Sequence, residues 1–339
     1  MSIVQSRRHF LVGLSAASAA GAGLFKVQPA SAGDLPPETT TVRLGKWGAY
    51  CWASVFLAGE LLRADGITDV QYVTGDTTVD NSQWLARGDT DFDMNMPSMH
   101  ITSLEAGVPI KILGGVHFGC FELMANDAVR SVTDLRGKRV GIWVRDSHPH
   151  KLTSLIADYV GLDPNNDIEW VEAGQTPAYQ LFIDGKVDAF LAATPEPQIL
   201  RAQKDFPGHT VVDIGKDNPW SQYFCCMVAA NADYVKNNPV TTKRVLRAIL
   251  KSADFCASNP EGAAQALVDR GFLPNYDYAL ATLREAPHDK WREYDAEDTV
   301  RFYALRMRET GMVQSSPQEI IANGTEFRFL NELKQELKA

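Results

Sequence analysis

From residue 41 to residue 230 the chain alternates short β-rich runs with segments of helical period, and this alternation leaves few architectures open. Residues 41–46, 67–73, 92–95 and 110–116 read as strands. Helical patterns separate them at 52–64, where Val55, Leu57, Ala58, Leu61 and Leu62 are apolar, at 79–86, and at 98–106 with Ser98 as cap. A second series follows a turn at 133–138, with strands at 139–144, 168–172, 189–191 and 210–213. Its helices fall at 150–160, ended by Gly161, at 177–184 and at 195–204. One more strand is expected at 224–230, and beyond residue 234 the pattern is almost wholly helical. Strands joined by helices of this length pair in parallel through crossover connections, which makes the fold class α/β. Two such series with a helical tail predict two lobes around a cleft, the chain crossing near 121–125 and 223–229. The expected lobes are 33–122 with 226–339, and 123–225. A ligand would lie between them, at strand C-termini and helix N-termini.

The first 32 residues stand outside this argument. Ser6-Arg7-Arg8-His9-Phe10-Leu11, an apolar stretch from Phe10 to Leu24 and Ala30-Ser31-Ala32 read as a twin-arginine export signal cut near Ala32. Fifteen residues rich in Ala, Gly and Ser are too few to span a bilayer, which takes about 20. Cleavage leaves 307 of the 339 residues and removes Arg7, Arg8 and Lys26, taking the net charge from −9 to −12. So acidic a chain argues against nucleic acid and against anionic lipid. The expected location is the periplasm.

Five cysteines, Cys51, Cys120, Cys225, Cys226 and Cys256, form an odd set with one adjacent pair and no C-x-x-C. A twin-arginine substrate folds before export, so the thiols meet a reducing compartment first. They are expected to be buried as small hydrophobes.

Four stretches carry a family likeness: Leu44-Gly45-Lys46-Trp47-Gly48, Ser103-Leu104-Glu105-Ala106-Gly107-Val108-Pro109-Ile110, Asp134-Leu135-Arg136-Gly137-Lys138-Arg139-Val140-Gly141 and Gly185-Lys186-Val187-Asp188-Ala189. In this order and spacing the chain resembles the substrate-binding proteins of ABC importers in the nitrate, sulfonate and taurine group, which share a domain with thiamine-pyrimidine binding and synthesis proteins. The resemblance implies a type II periplasmic binding protein fold, a small-molecule solute between two lobes, and an inner-membrane ABC permease as partner. A monomer is expected. Many members carry a Trp two residues before the Pro that matches Pro195; here Ala193 and Thr194 occupy that region.

The ligand must be sought in the loops. Trp47 and Tyr50, with Trp52 close by, offer aromatic faces to an organic solute. Pro97 and Ser98 open a helix whose free N–H groups suit an anion. Gly119 permits close backbone approach, with Cys120 beside it. Ser147 and His148 begin the helix of the second lobe, the main candidate for an anionic group, with Arg145 nearby to add charge or pair with Asp146. Pro195 and Glu196 end the next strand, Glu196 either recognising a donor or favouring the helix dipole. Glu122 is expected to face solvent at the hinge, and Asp91 and Asp93 to solvate a strand edge. His100, His117, His148 and His150 match no zinc-ligand spacing, so neither metal nor cofactor is expected.

These residues point to a binding protein for a small anionic or zwitterionic organic solute, closing by a hinge and catalysing nothing. Two alternatives stay open. One is a pyrimidine-binding protein, or an enzyme like the thiamine-pyrimidine synthases, whose cysteine-rich segment is similar to Phe224-Cys225-Cys226-Met227. The other is a periplasmic ligand sensor.

Overall fold

The computed structural model describes residues 35–76, 81–174 and 176–337. The expected export signal, and the start of the helix expected from residue 79, lie outside the described residues. The first series gives β1 (Thr41–Gly45), β2 (Asp69–Val73), β3 (Phe92–Asn95) and β4 (Ile110–His117). Helices α1 (Ala53–Ala64), α2 (Ser82–Arg87) and α3 (Pro97–Glu105) separate these strands. The second gives β5 (Phe121–Ala125), β6 (Lys138–Ile142), β7 (Ile168–Glu172), β8 (Ala189–Ala193) and β9 (His209–Asp213). Its helices are α4 (His148–Tyr159), α5 (Ala178–Ile183) and α6 (Glu196–Ala202). Strand β10 (Cys226–Asn231) and helices α7 (Ala232–Asn237) and α8 (Pro239–Ser258) follow, and five further helices run between Pro260 and Glu336. No described helix is long and apolar enough to cross a membrane.

The strands form two five-stranded sheets, ordered β2-β1-β3-β10-β4 and β7-β6-β8-β5-β9. The expectation of parallel pairing holds for β1 with β2 and β3, and for β6 with β7 and β8. It fails for two strands: β10 runs antiparallel to β3 and β4, and β5 antiparallel to β8 and β9. Both are the first strand after a crossing between sheets. A chain arriving from the other sheet has no crossover helix to reverse its direction, so it enters antiparallel. The crossings occupy residues 118–120 and 214–225; β5 joins the second sheet from Phe121, and β10 returns to the first at Cys226.

Each sheet carries the same internal brace. In the first, Asp91 just ahead of β3 accepts from the Arg43 backbone N–H at 2.7 Å and from its Nη2 at 2.6 Å. In the second, Asp188 just ahead of β8 accepts from the Arg139 backbone N–H at 3.0 Å, from Nε at 3.1 Å and from Nη2 at 2.9 Å. The Arg139 guanidinium pulls the Asp188 carboxyl down to about 2. Asp91 and Asp93 were expected at a solvated edge; both are buried, because each is consumed by a hydrogen-bonded partner inside the sheet.

Helix α1 shows why the tail is needed. Val55, Phe56, Leu57, Ala58 and Leu62 are all fully buried, an apolar surface too wide for one sheet to cover. Helix α8 packs on its other side and also against β4. At about 1.5–3 kcal/mol per large apolar side chain, this sandwich anchors the loop ahead of α1. That loop enters the site.

Candidate functional site

Between the sheets lies a cavity of about 240 Å3. The first sheet contributes the loop after β1 with Trp47 and Trp52, and the end of β3 with Asn95 and Met96. The second contributes Trp143 after β6, His148 and Pro149 at the start of α4, and Ala193 and Thr194 at the end of β8. These are the C-terminal ends of parallel strands, where such sheets bind ligands. Two other hollows, of about 350 and 380 Å3, lie on the helical tail, away from the strand ends.

The cavity wall is aromatic and amide-rich. The Trp47 ring packs on Trp84 with centroids 5.5 Å apart. Trp52 comes close because Gly45 has no side chain: a Cβ there would stand 2.7 Å from Asp93 Oδ1 and 3.5 Å from the Trp52 ring. Asp93 accepts from Asn81 Nδ2 at 2.7 Å, and Asn81 Oδ1 accepts from Asn95 Nδ2 at 2.9 Å. Asn95 Oδ1 then faces His148 Nε2 across the cleft at 2.8 Å. This chain of hydrogen bonds links one sheet to the other across the cleft. Among the described residues no Lys, Arg, Asp or Glu side chain lines the cavity. Any negative charge within it must be met by uncharged N–H and O–H donors, the Thr194 hydroxyl among them.

Of the ten residues expected to bind the ligand, Trp47, Cys120 and His148 line the cavity, and Trp52, named beside them, lines it too. The other seven stand outside its lining, for separate reasons. Tyr50 turns its ring edge to Tyr278, 6.2 Å between centroids. Pro97 is the first residue of α3, whose cap is Met96; Ser98 is therefore not the cap, and its Oγ is buried within the helix's own packing. Gly119 does serve close approach, with φ +51° and a would-be Cβ 2.6 Å from Gly215 Cα, but its neighbour is backbone of the other crossing. Ser147 is the cap position of α4, yet its Oγ donates to the Val144 carbonyl at 2.5 Å. Arg145 lies 3.9 Å from Glu172 and does not pair with Asp146.

Pro195 is buried at the start of α6, and Ala193 and Thr194 just ahead of it line the wall. Burial lifts the Glu196 carboxyl to about 7 against an opposing hydrogen bond from the Ala193 backbone. Glu122 faces neither cleft nor solvent: it is 4% exposed, ion-paired with Arg201 and accepting from Thr210 Oγ1 at 2.6 Å. His100 and His150 are occupied elsewhere, on the Met227 carbonyl at 2.9 Å and the Asp146 N–H at 3.0 Å.

The floor of the cavity was not anticipated. Cys51, Cys120 and Cys226 line it, and His117 lies just beneath. One ligand atom from each of these four falls within 4.8 Å of all the others. Cys120 Sγ is 3.5 Å from His117 Nδ1. A hydrogen bond from Cys120 pulls the Cys226 thiol below its ordinary range. The cysteines are buried and free, as expected, but Cys225 joins the three at the floor, so four of the five gather here and only Cys256 stands apart in α8.

A family model described as NMT1/THI5 like matches residues 63–263. No curated protein sequence matches the chain. Solved structures do. The periplasmic nitrate-binding protein NrtA from Synechocystis PCC 6803 superposes with a TM-score of 0.74 at 16% identity, covering 90% of each chain. The alkanesulfonate-binding protein SsuA from Xanthomonas axonopodis pv. citri, bound to MOPS, gives 0.65 at 17% identity over 81% of this chain and 95% of that one. The periplasmic aliphatic sulphonate binding protein SsuA from Escherichia coli gives 0.66 at 18% identity over 82% and 90%.

Proposed function

The chain belongs to the NMT1/THI5-like family and has the periplasmic binding protein fold, and from that premise we propose that it is the solute-binding component of an ABC importer. The observation that carries the reading is the cavity built from strand ends of both sheets and bridged by His148 and Asn95. Closure over a solute, and reopening at a permease, needs these features and no reactive group. On this reading the two lobes, expected at 33–122 with 226–339 and at 123–225, meet instead at the crossing 118–120, because Phe121 and Glu122 pair within the second sheet, and the protein works as a monomer in the periplasm. It arrives there by the twin-arginine route after cleavage near Ala32.

The solute is a small monoanion or zwitterion with a polarisable body. Its size is bounded by the cavity of about 240 Å3. Its charge is met by the N–H groups at the start of α4 and by the Thr194 hydroxyl rather than by a lysine or arginine. Trp47, Trp52 and Trp143 wall the organic part.

The test is a thermal-shift screen of nitrate, small alkanesulfonates, taurine, amino acids and pyrimidines, confirmed by calorimetry. One solute at 100 times its Kd stabilises the protein by about 2.7 kcal/mol. His148→Ala, which removes the bridge, weakens that solute about 10-fold while the protein stays folded. Failure of every class to bind, or full affinity in His148→Ala, overturns the reading.

A further inference from the structure

Four residues from distant parts of the chain meet at the base of the cleft. Cys51 lies in the turn ahead of α1, His117 ends β4, Cys120 sits in the first crossing and Cys226 opens β10 at the end of the second. None is more than 8% exposed, and none is in a disulfide. As small hydrophobes, cysteines have no reason to assemble. Gathering three with a histidine within 4.8 Å produces the donor set that thiophilic ions select.

We propose that Cys51, His117, Cys120 and Cys226 hold a single thiophilic d10 cation, Cu+ or Zn2+, with one side turned to the cavity. Tetrahedral coordination with metal–sulfur bonds of about 2.3 Å and a metal–nitrogen bond of about 2.0 Å sets sulfur–sulfur edges at about 3.8 Å and sulfur–nitrogen edges at about 3.5 Å. Cys120 Sγ and His117 Nδ1 already stand 3.5 Å apart. The widest pair, at most 4.8 Å, closes by about 1 Å of side-chain rotation. Met94 and Met96 add thioethers to the same wall, which favours the softer ion.

The backbone around the ligands is held in place. The Cys225 N–H donates to the His117 carbonyl at 3.0 Å, and the Thr194 N–H donates to the Cys120 carbonyl at 2.8 Å. The His288 ring lies 4.9 Å from that of His117, and its Nδ1 is fixed on the Ala286 carbonyl at 2.6 Å. Cys51, Cys120 and Cys226 all face the cavity, so the bound ion is reachable from it. Because Cys120 lies in the first crossing and Cys226 directly follows the second, one ion ties together both segments by which the chain passes between the sheets.

The experiment uses the whole chain, purified reduced and without oxygen. Cu+ and Zn2+ are each titrated against a chromophoric chelator, and bound metal is counted by mass spectrometry. One ion per chain is expected. Cys120→Ser, Cys226→Ser and His117→Gln, checked for folding by circular dichroism, each weaken it by more than about 100-fold, the upper loss for an outer partner alone. Cys256→Ser leaves it unchanged. Co2+ loaded into the unmutated chain gives a thiolate charge-transfer band, a readout that needs no variant. Tighter Cu+ or tighter Zn2+ supports the site and identifies the ion. It is overturned by no ion bound, no charge-transfer band, or undiminished binding in a folded Cys120→Ser, Cys226→Ser double variant. The solute screen is run on ion-free protein, so its failure and the failure of this site are read separately.

Discussion

Replacing Asp188 by Asn removes the charge from the brace of the second sheet and gives a stability change with a defined pH signature. Asp188 accepts three hydrogen bonds from Arg139 and a fourth, at 3.1 Å, from Asn126 Nδ2. Arg139 holds its carboxyl at about 2, against an ordinary 3.8. Proton linkage converts that difference to about 2.4 kcal/mol. The Asp188 side chain is only 15% exposed but that of Arg139 is 39%, and solvent screening cuts the figure to about 1 kcal/mol. A depressed native pKa means that the unfolded chain binds more protons between about 2 and 4, so the contribution is complete above pH 4 and lost as pH falls towards 2. Urea unfolding of the parent and Asp188→Asn from pH 7 to pH 2.5 should therefore show a gap that narrows by about 1 kcal/mol below pH 4. Any constant remainder reports the amide's poorer fit to its donors. A gap of the same size at every pH would refute the charged brace. Solute affinity is a second readout, because β6 and β8 carry Trp143 and Thr194 to the cavity.

Glu196→Gln should do the opposite. Its carboxyl is lifted by burial to about 7, so the native chain holds the extra proton between about 4.5 and 7 and loses stability as pH rises through that window. The variant gains about 1–2 kcal/mol over the parent at pH 8 and nothing at pH 4, by urea midpoint; no gain at pH 8 would remove the buried carboxylate from the account. Gly119→Ala puts a Cβ 2.6 Å from Gly215 Cα at φ +51°, where two backbones meet and neither yields. It should cost about 2–3 kcal/mol, and an unchanged melting temperature would show that the two crossings do not touch.

How much of this was legible in the sequence follows from the range over which each signal acts. The βα alternation is local, and residues such as Ile168 to Glu172 fall in a strand with the bounds expected of them. The direction of β5 and β10 is not local. It depends on which sheet the chain has just left, information absent from Phe121-Glu122-Leu123 itself. The two carboxylates of Asp91-Phe92-Asp93 read as solvated because their partners, Arg43 and Asn81, lie 48 and 12 residues away. Ser98 and Ser147 read as ligand groups from their helix-start positions. The backbone does place α4 at the cleft, but Ser147 spends its hydroxyl on Val144, and His148 and Pro149 present the surface instead.

The cysteines mark the limit most clearly. A metal motif can be read from sequence only when its ligands share one turn or one hairpin, so that spacing encodes geometry. Here Cys51, His117, Cys120 and Cys226 span 175 positions, and only His117 and Cys120 are close in the chain. What brings them together is the topology: the turn after β1, the end of β4 and the start of β10 converge where the chain twice changes sheets. In this two-sheet protein that point is both the floor of the cleft and the place where the chain passes between the sheets. Residues placed there face the cavity and both crossings at once, so contacts that are distant in sequence are joined by topology alone.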